Sequence, residues 1–263
     1  MLGAIAGDIA GSVHEGVGTK TKDFELFGRY HRFTDDTVLT VAVADWILHG
    51  GDLVDRFHQY FDWYTDAGFG AFFFEWASER RREPYNSWGN GSAMRVSPIG
   101  FAFNSIDEVR EQARRSAEVT HNHPEGVRGA EAAAAAVFLA RTTRDKTAIR
   151  LYVEQNFGYD LSDSLQAIRP TYHLDGSCQG SVPQSIVAFL EAEGFEDAVR
   201  NAISLGGDAD TMACIAGGIA EAFHGVPAAI ERETMLRLSS GLTPVVRKFR
   251  SRYCAASNQG NTC

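Results

Sequence analysis

Residues 206–224 read GGDADTMACIAGGIAEAFH: a glycine turn, two carboxylates and a hydroxyl, then an apolar run. From Thr211 to His224 the apolar side chains recur at three-and-four spacing, the period of a helix. Ala213, Gly217 and Glu221, with Ala216 and Ala220 beside them, form a stripe of mostly small residues along it. A similar bare stripe, Gly3, Gly7 and Gly11, recurs every four residues near the start of the chain. Glycine inside a helix costs about 1 kcal/mol relative to alanine, so such stripes point to close backbone approach. The two helices are candidates for neighbours, whether for tight packing alone or for a shared site.

The helical period extends outward over Val38–Leu48, Ile106–Val119, Gly129–Ala140, Thr147–Asn156, Val182–Glu191, Glu196–Leu205 and Ala228–Ser239. Ser or Asp precedes several of these segments as an N-cap, and Gly or Pro follows, as at Gly225 and Pro227. No series of alternating strands is legible, so the expected class is all-α. No Pro/Ser-rich linker or solenoid repeat divides the chain, which predicts one domain over 1–253 with a flexible tail at 254–263. Lys20–Arg32 and Arg80–Gly100 read as long loops, and loops of that length in a compact domain often carry function.

A chain of 263 residues with 44% hydrophobic and 22% charged content builds a real buried core, which excludes disorder, a collagen-like repeat and a small stapled scaffold. Its 34 acids against 25 bases leave a formal charge of -9, which disfavours non-specific nucleic-acid or anionic-membrane binding. An anionic small ligand remains compatible if it is held locally. Cys178, Cys214, Cys254 and Cys263 form no C-x-x-C and suit a reducing compartment. The first eight residues lack a basic n-region, and no apolar run approaches the roughly 18–20 residues that cross a bilayer. A cytoplasmic, monomeric protein is expected.

The carboxylates are not all scattered. Phe33-Thr34-Asp35-Asp36-Thr37 stands just ahead of the helix near Val38, and Asp208-Ala209-Asp210-Thr211 stands just ahead of the helix already described. Capping accounts for either cluster alone, because Asp and Thr suit a helix N-terminus. Two helix starts that each carry two Asp and a Thr suggest more. Oxygen-only sets of carboxylate and hydroxyl suit hard cations such as Mg²⁺, Mn²⁺ or Ca²⁺. Four carboxylates brought together would repel unless cations neutralised them, and two divalent cations would do so. Glu15, ahead of Gly16-Val17-Gly18, is either a solvated helix-end charge or a carboxylate on a hinge.

Five motifs stand in one order: G-D-x-x-G-S-x-x-E at 7–15, F-T-D-D-T at 33–37, G-N-G-S-A-M-R at 89–95, T-H-N-H-P at 120–124 and G-G-D-A-D-T at 206–211. In that combination the chain closely resembles the ADP-ribosylglycohydrolase family, collinearly from residue 1 to about 250. The resemblance implies an orthogonal helical bundle and a dinuclear Mg²⁺ or Mn²⁺ centre in a cleft that binds ADP-ribose. By it, the metal ligands are Thr34, Asp35, Asp36, Asp208, Asp210 and Thr211, with Asp210 bridging. It assigns substrate contacts to Asn90, Gly91, Ser92, Met94 and His121. Small residues in that loop expose backbone N–H groups to a diphosphate, and Ser92 adds a hydroxyl donor. Tyr85 or Trp88 would stack on adenine or serve the core.

The activity implied is metal-dependent removal of mono-ADP-ribose from a modified protein side chain, with the arginine linkage favoured. Glu15 would orient the scissile ribose and gate access, while Asp35 or Asp210 would handle proton transfer. Two alternatives differ in kind. One keeps the site and changes the linkage to serine, O-acetyl-ADP-ribose or a nucleic-acid adduct. The other is a non-catalytic protein that binds ADP-ribose or blocks a toxin.

Overall fold

The structure, a computed structural model, describes residues 1–254. Its first half contains α1 (Leu2–Gly11), α2 (Asp35–His49), α3 (Leu53–Trp63), α4 (Ala71–Ser78), α5 (Ser97–Ala102) and α6 (Ile106–Glu118). The remainder contains α7 (Pro124–Thr143), α8 (Lys146–Phe157), α9 (Leu165–Ile168), α10 (Cys178–Leu190), α11 (Phe195–Ile203), α12 (Ala209–His224), α13 (Ala228–Arg237) and α14 (Leu242–Tyr253). No β-strand occurs among the described residues, so the chain is an all-α helical bundle, as expected. None of these helices is long and apolar enough to cross a membrane. The tail expected at 254–263 lies, beyond Cys254, outside the described residues.

The two small-residue stripes meet. A Cβ on Gly3 would stand 2.3 Å from the Gly217 carbonyl oxygen, and one on Gly7 would stand 1.9 Å from that of Ala213. On Gly11 it would stand 2.4 Å from Asp210 Cα. The pairing runs in opposite directions along the two helices, so α1 and α12 pack antiparallel with their backbones in contact. Helix α12 is buried from Ala209 to Ala220, and α10, α11 and the alanine-rich α7 pack around it. This crossing carries the C-terminal end of α1 to the N-terminal end of α12.

Local signals set the ends of the helices. Thr34, Asp52, Ser105, Asp145 and Ser177 cap α2, α3, α6, α8 and α10 through side-chain oxygens that accept backbone N–H bonds. Helix α10 begins at Cys178 rather than at Val182, because the Ser177 cap starts it a turn earlier, and Pro183 falls inside it. Helix α3 lies outside the segments read as helical, yet it buries Leu53, Phe57, Tyr60 and Phe61 at helical spacing. Helix α14 likewise buries Leu242, Val246 and Phe249. The expected loop over 80–100 is shorter than its sequence suggested, because Asn90–Ser92 form a 3-10 turn and α5 begins at Ser97.

Candidate active site

Three helix ends converge on one cleft. Asp8, in the middle of α1, reaches the start of α2, where Thr34 donates to its carboxylate through the backbone N–H at 3.0 Å and through Oγ1 at 2.6 Å. Thr37 also donates to it, through its backbone N–H at 3.1 Å and through its hydroxyl. Asp8 therefore caps α2 from another helix. At the start of α12, Gly206 has φ 69°, which turns the chain out of α11, and a Cβ on Gly207 would stand 2.3 Å from Tyr172 Cε1. Asp208 then takes the N-cap position, with Asp210 and Thr211 in the first turn. Thr211 Oγ1 donates to Asp36 Oδ2 at 3.3 Å, which joins the two acidic clusters.

Oxygens of Asp8, Asp36 and Asp210 lie within 4.8 Å of one another, as do oxygens of Glu15, Asp208 and Asp210. Asp210 belongs to both groups. Burial and neighbouring carboxylates push the carboxyls of Asp35, Asp36 and Asp210 well above the usual carboxylate range. Burial raises Asp8 to about 6 against the hydrogen bonds from Thr34 and Thr37, which pull it down. Glu15 is raised by burial and by the charges of Asp208 and Asp8. Asp36 Oδ1 is fully buried without a hydrogen-bond partner. Such an orphaned acceptor among like charges fits a hard cation, and the all-oxygen donor set fits Mg²⁺ or Mn²⁺ better than a softer metal.

The cleft beside this cluster has a volume of about 330 Å³. Glu15, Thr34, Asp35, Asp36, Asp208, Asp210 and Thr211 line it, together with Asn90, Gly91, Met94 and His121. Aromatic rings also line it, with Phe72 stacked on Tyr85 at a ring separation of 6.3 Å and an interplanar angle of 29°. Trp88 does not line the cleft and instead meets His123 edge-on at 5.6 Å.

Two residues expected to contact the substrate are engaged by neighbours within the protein. Ser92 is fully buried and its hydroxyl donates to the Gly126 carbonyl at 2.7 Å, so it pins the loop to α7 instead of facing the cleft. Asn90 lines the cleft, but its side-chain amide donates to Asp208 Oδ2 at 2.8 Å and to Ser181 Oγ at 3.2 Å. Its backbone N–H donates to the Gly176 carbonyl at 2.8 Å. These bonds occupy all three of its N–H groups, and Asn90 orients Asp208 rather than offering a donor to a ligand. At Gly91 a Cβ would stand 3.3 Å from His121 Nε2, so glycine keeps this wall open beside the imidazole.

Sequence reasoning assigned no role to Asp8, Arg32 or Phe72. Asp8 carried a signal, as the single charge in the otherwise apolar and small LGAIAGDIAG. Arg32, on the segment ahead of α2, and Phe72, in the first turn of α4, reach the cleft only through the fold.

A family model described as ADP-ribosylglycohydrolase matches residues 1–257. ADP-ribosylhydrolase ARH3 of Xenopus tropicalis is 27% identical over 300 residues, covering 86% of this chain and 86% of that protein. ADP-ribosylarginine hydrolase Tri1 of Pseudomonas putida is 28% identical over 144 residues, covering 52% of this chain and 39% of that protein. A solved structure titled ADP-ribosylglycohydrolase-related protein complex superposes with a TM-score of 0.69 at 24% identity, covering 95% of this chain and 96% of that one. The last comparison bears on the fold.

Proposed function

The chain belongs to the ADP-ribosylglycohydrolase family, a family of glycosidic-bond hydrolases, and we propose that it removes mono-ADP-ribose from modified arginine side chains of proteins with two divalent cations, Mg²⁺ or Mn²⁺. Hydrolysis of an ADP-ribose linkage follows from the family. The arginine linkage and the dinuclear centre are the finer reading. The observation that carries it is the convergence of α1, α2 and α12 on two overlapping carboxylate groups that share Asp210. The partial similarity to an ADP-ribosylarginine hydrolase supports the choice of linkage.

In this reading Thr34, Asp35, Asp36, Asp208, Asp210 and Thr211 hold the cations, with Asp210 common to both. Bound divalent cations supply charge neutralisation and Lewis acidity beside the scissile bond. Cleavage at C1 of the distal ribose develops positive charge on the sugar, and Glu15, on the cleft edge beside Asp208, orients that ribose and stabilises the charge. Asp35 or Asp210 accepts the proton of the attacking water. Gly91 and His121 contact the ADP-ribose, and Met94 packs its sulfur 3.9 Å from Thr211 Oγ1 at the floor. Tyr85 offers a stacking face to adenine.

The test presents arginine-linked and serine-linked ADP-ribosyl peptides and O-acetyl-ADP-ribose, each with Mg²⁺, Mn²⁺ or EDTA. Release of ADP-ribose from the arginine-linked peptide, abolished by EDTA and restored by the metal, is expected. Turnover of only another substrate would replace the linkage. Metal-dependent ADP-ribose binding without turnover of any would make the protein a binder.

A further inference from the structure

Arg95 is fully buried at the cleft, and among the described residues it forms no ion pair with a carboxylate. Its Nη2 donates to the Ser116 carbonyl at 2.7 Å and to Thr120 Oγ1 at 2.9 Å, while Nε and Nη1 are buried without partners. Its guanidinium carbon lies 4.6 Å from the centre of the Phe57 ring. A charge kept in such a place is costly, and among the described residues its one side-chain hydrogen-bond acceptor is the hydroxyl of Thr120. That hydroxyl lies 2.7 Å from His121 Nδ1.

The hydrogen-bond inventory gives this chain a direction. Arginine has only donors, so Thr120 Oγ1 accepts from Arg95. With a lone pair of Thr120 Oγ1 held by Arg95, the hydroxyl hydrogen points away from the guanidinium toward His121 Nδ1, which then acts as the acceptor. The cation behind Thr120 reinforces this, because it turns the oxygen end of the hydroxyl toward itself and disfavours a proton on the near side of the imidazole. The other nitrogen, Nε2, faces the glycines of the 89–91 turn on the cleft wall, 3.3 Å from the position of a Gly91 Cβ. Burial and the charge of Arg95 both hold the imidazole pKa well below its usual value, so the ring stays neutral.

We propose that Arg95 is a positioning residue that acts through Thr120 to lock His121 as the Nε2–H tautomer, so that a neutral imidazole donates one hydrogen bond to an oxygen of ADP-ribose. The ligand half of this statement rests on the reading of His121 as a substrate contact given above. The tautomer half concerns the free protein and stands on the Arg95–Thr120–His121 geometry.

The test is long-range ¹H–¹⁵N NMR of histidine-labelled protein, with His121 assigned by loss of its signals in His121→Asn. In the wild type the signals should report an unprotonated Nδ1 and a protonated Nε2 that do not titrate between pH 6 and 8. Thr120→Val should mix the two tautomers and weaken ADP-ribose binding roughly tenfold, and Thr120→Ser should restore both. Arg95→Met should bring His121 titration into the observed range. If this buried variant does not fold, the Thr120 pair carries the test. A wild-type Nδ1–H tautomer, or a Thr120→Val spectrum like that of the wild type, would overturn the proposal. A mixed tautomer in Thr120→Val with unchanged ADP-ribose affinity would confirm the relay and remove His121 from the ligand site.

Discussion

Thr211 Oγ1 stands 3.3 Å from Asp36 Oδ2, although 175 residues separate the two along the chain. This contact turns two ordinary helix starts into one acidic floor, because Asp35 and Asp36 enter it from α2 while Asp208 and Asp210 enter from α12. Carboxylates so placed oppose one another in the absence of cations. Asp36→Asn and Asp210→Asn should therefore raise the melting temperature of EDTA-treated protein, by roughly 3–5 °C. The same variants should weaken Mn²⁺ binding by about 100-fold or more and lose hydrolysis. Calorimetric metal titration alongside thermal melts checks both; wild-type metal affinity in Asp210→Asn would remove it as the shared ligand.

The pH dependence of the metal-free fold has a definite sign. Asp8 is raised from the usual 3.8 to about 6, and Asp35, Asp36 and Asp210 are raised well above the usual range. Each binds its proton more tightly in the folded than in the unfolded chain. Their contribution to stability is complete below the unfolded pKa and is lost as pH rises through the folded values. The melting temperature in EDTA should fall by roughly 5 °C or more between pH 5 and pH 8, and saturating Mg²⁺ should suppress that fall. A flat profile in EDTA would contradict the carboxylate repulsion.

Glu15 sits at the edge of the cleft, with an oxygen within 4.8 Å of those of Asp208 and Asp210. If it orients the scissile ribose, Glu15→Gln should lower kcat roughly 100-fold while ADP-ribose, the product, still binds within about threefold of wild type. Loss of ADP-ribose binding with little change in kcat would assign Glu15 to ground-state binding.

The crossing of α1 and α12 leaves no room for a methyl group at Gly7, where a Cβ would stand 1.9 Å from the Ala213 carbonyl oxygen. Gly7→Ala should destabilise the protein by about 3 kcal/mol or more, since rigid backbone rather than a side chain must move. At Gly194, where a Cβ would meet nothing within 4 Å, alanine should cost much less, within about 1 kcal/mol. Chemical denaturation of the two variants makes the comparison.

Hydrophobic period and caps made the all-α class, the glycine stripes and the two acidic helix starts legible in the sequence, because each is a local pattern a few residues long. The amphipathic α3 and α14 carried the same kind of signal at their buried Leu53, Phe57, Leu242 and Val246. What the chain could not state locally is which groups face one another. That Gly126 takes the Ser92 hydroxyl, and that Asp208 and Ser181 take the Asn90 amide, is visible only in the fold. Arg95 closes the 89–95 motif in sequence, and only the fold shows it buried against Phe57 and Thr120. By itself, the sequence determined the helices and their acidic ends. The antiparallel crossing of α1 on α12 decided that those ends meet, because carboxylate repulsion, cation fit and a shared hydroxyl exist only between atoms a few ångströms apart.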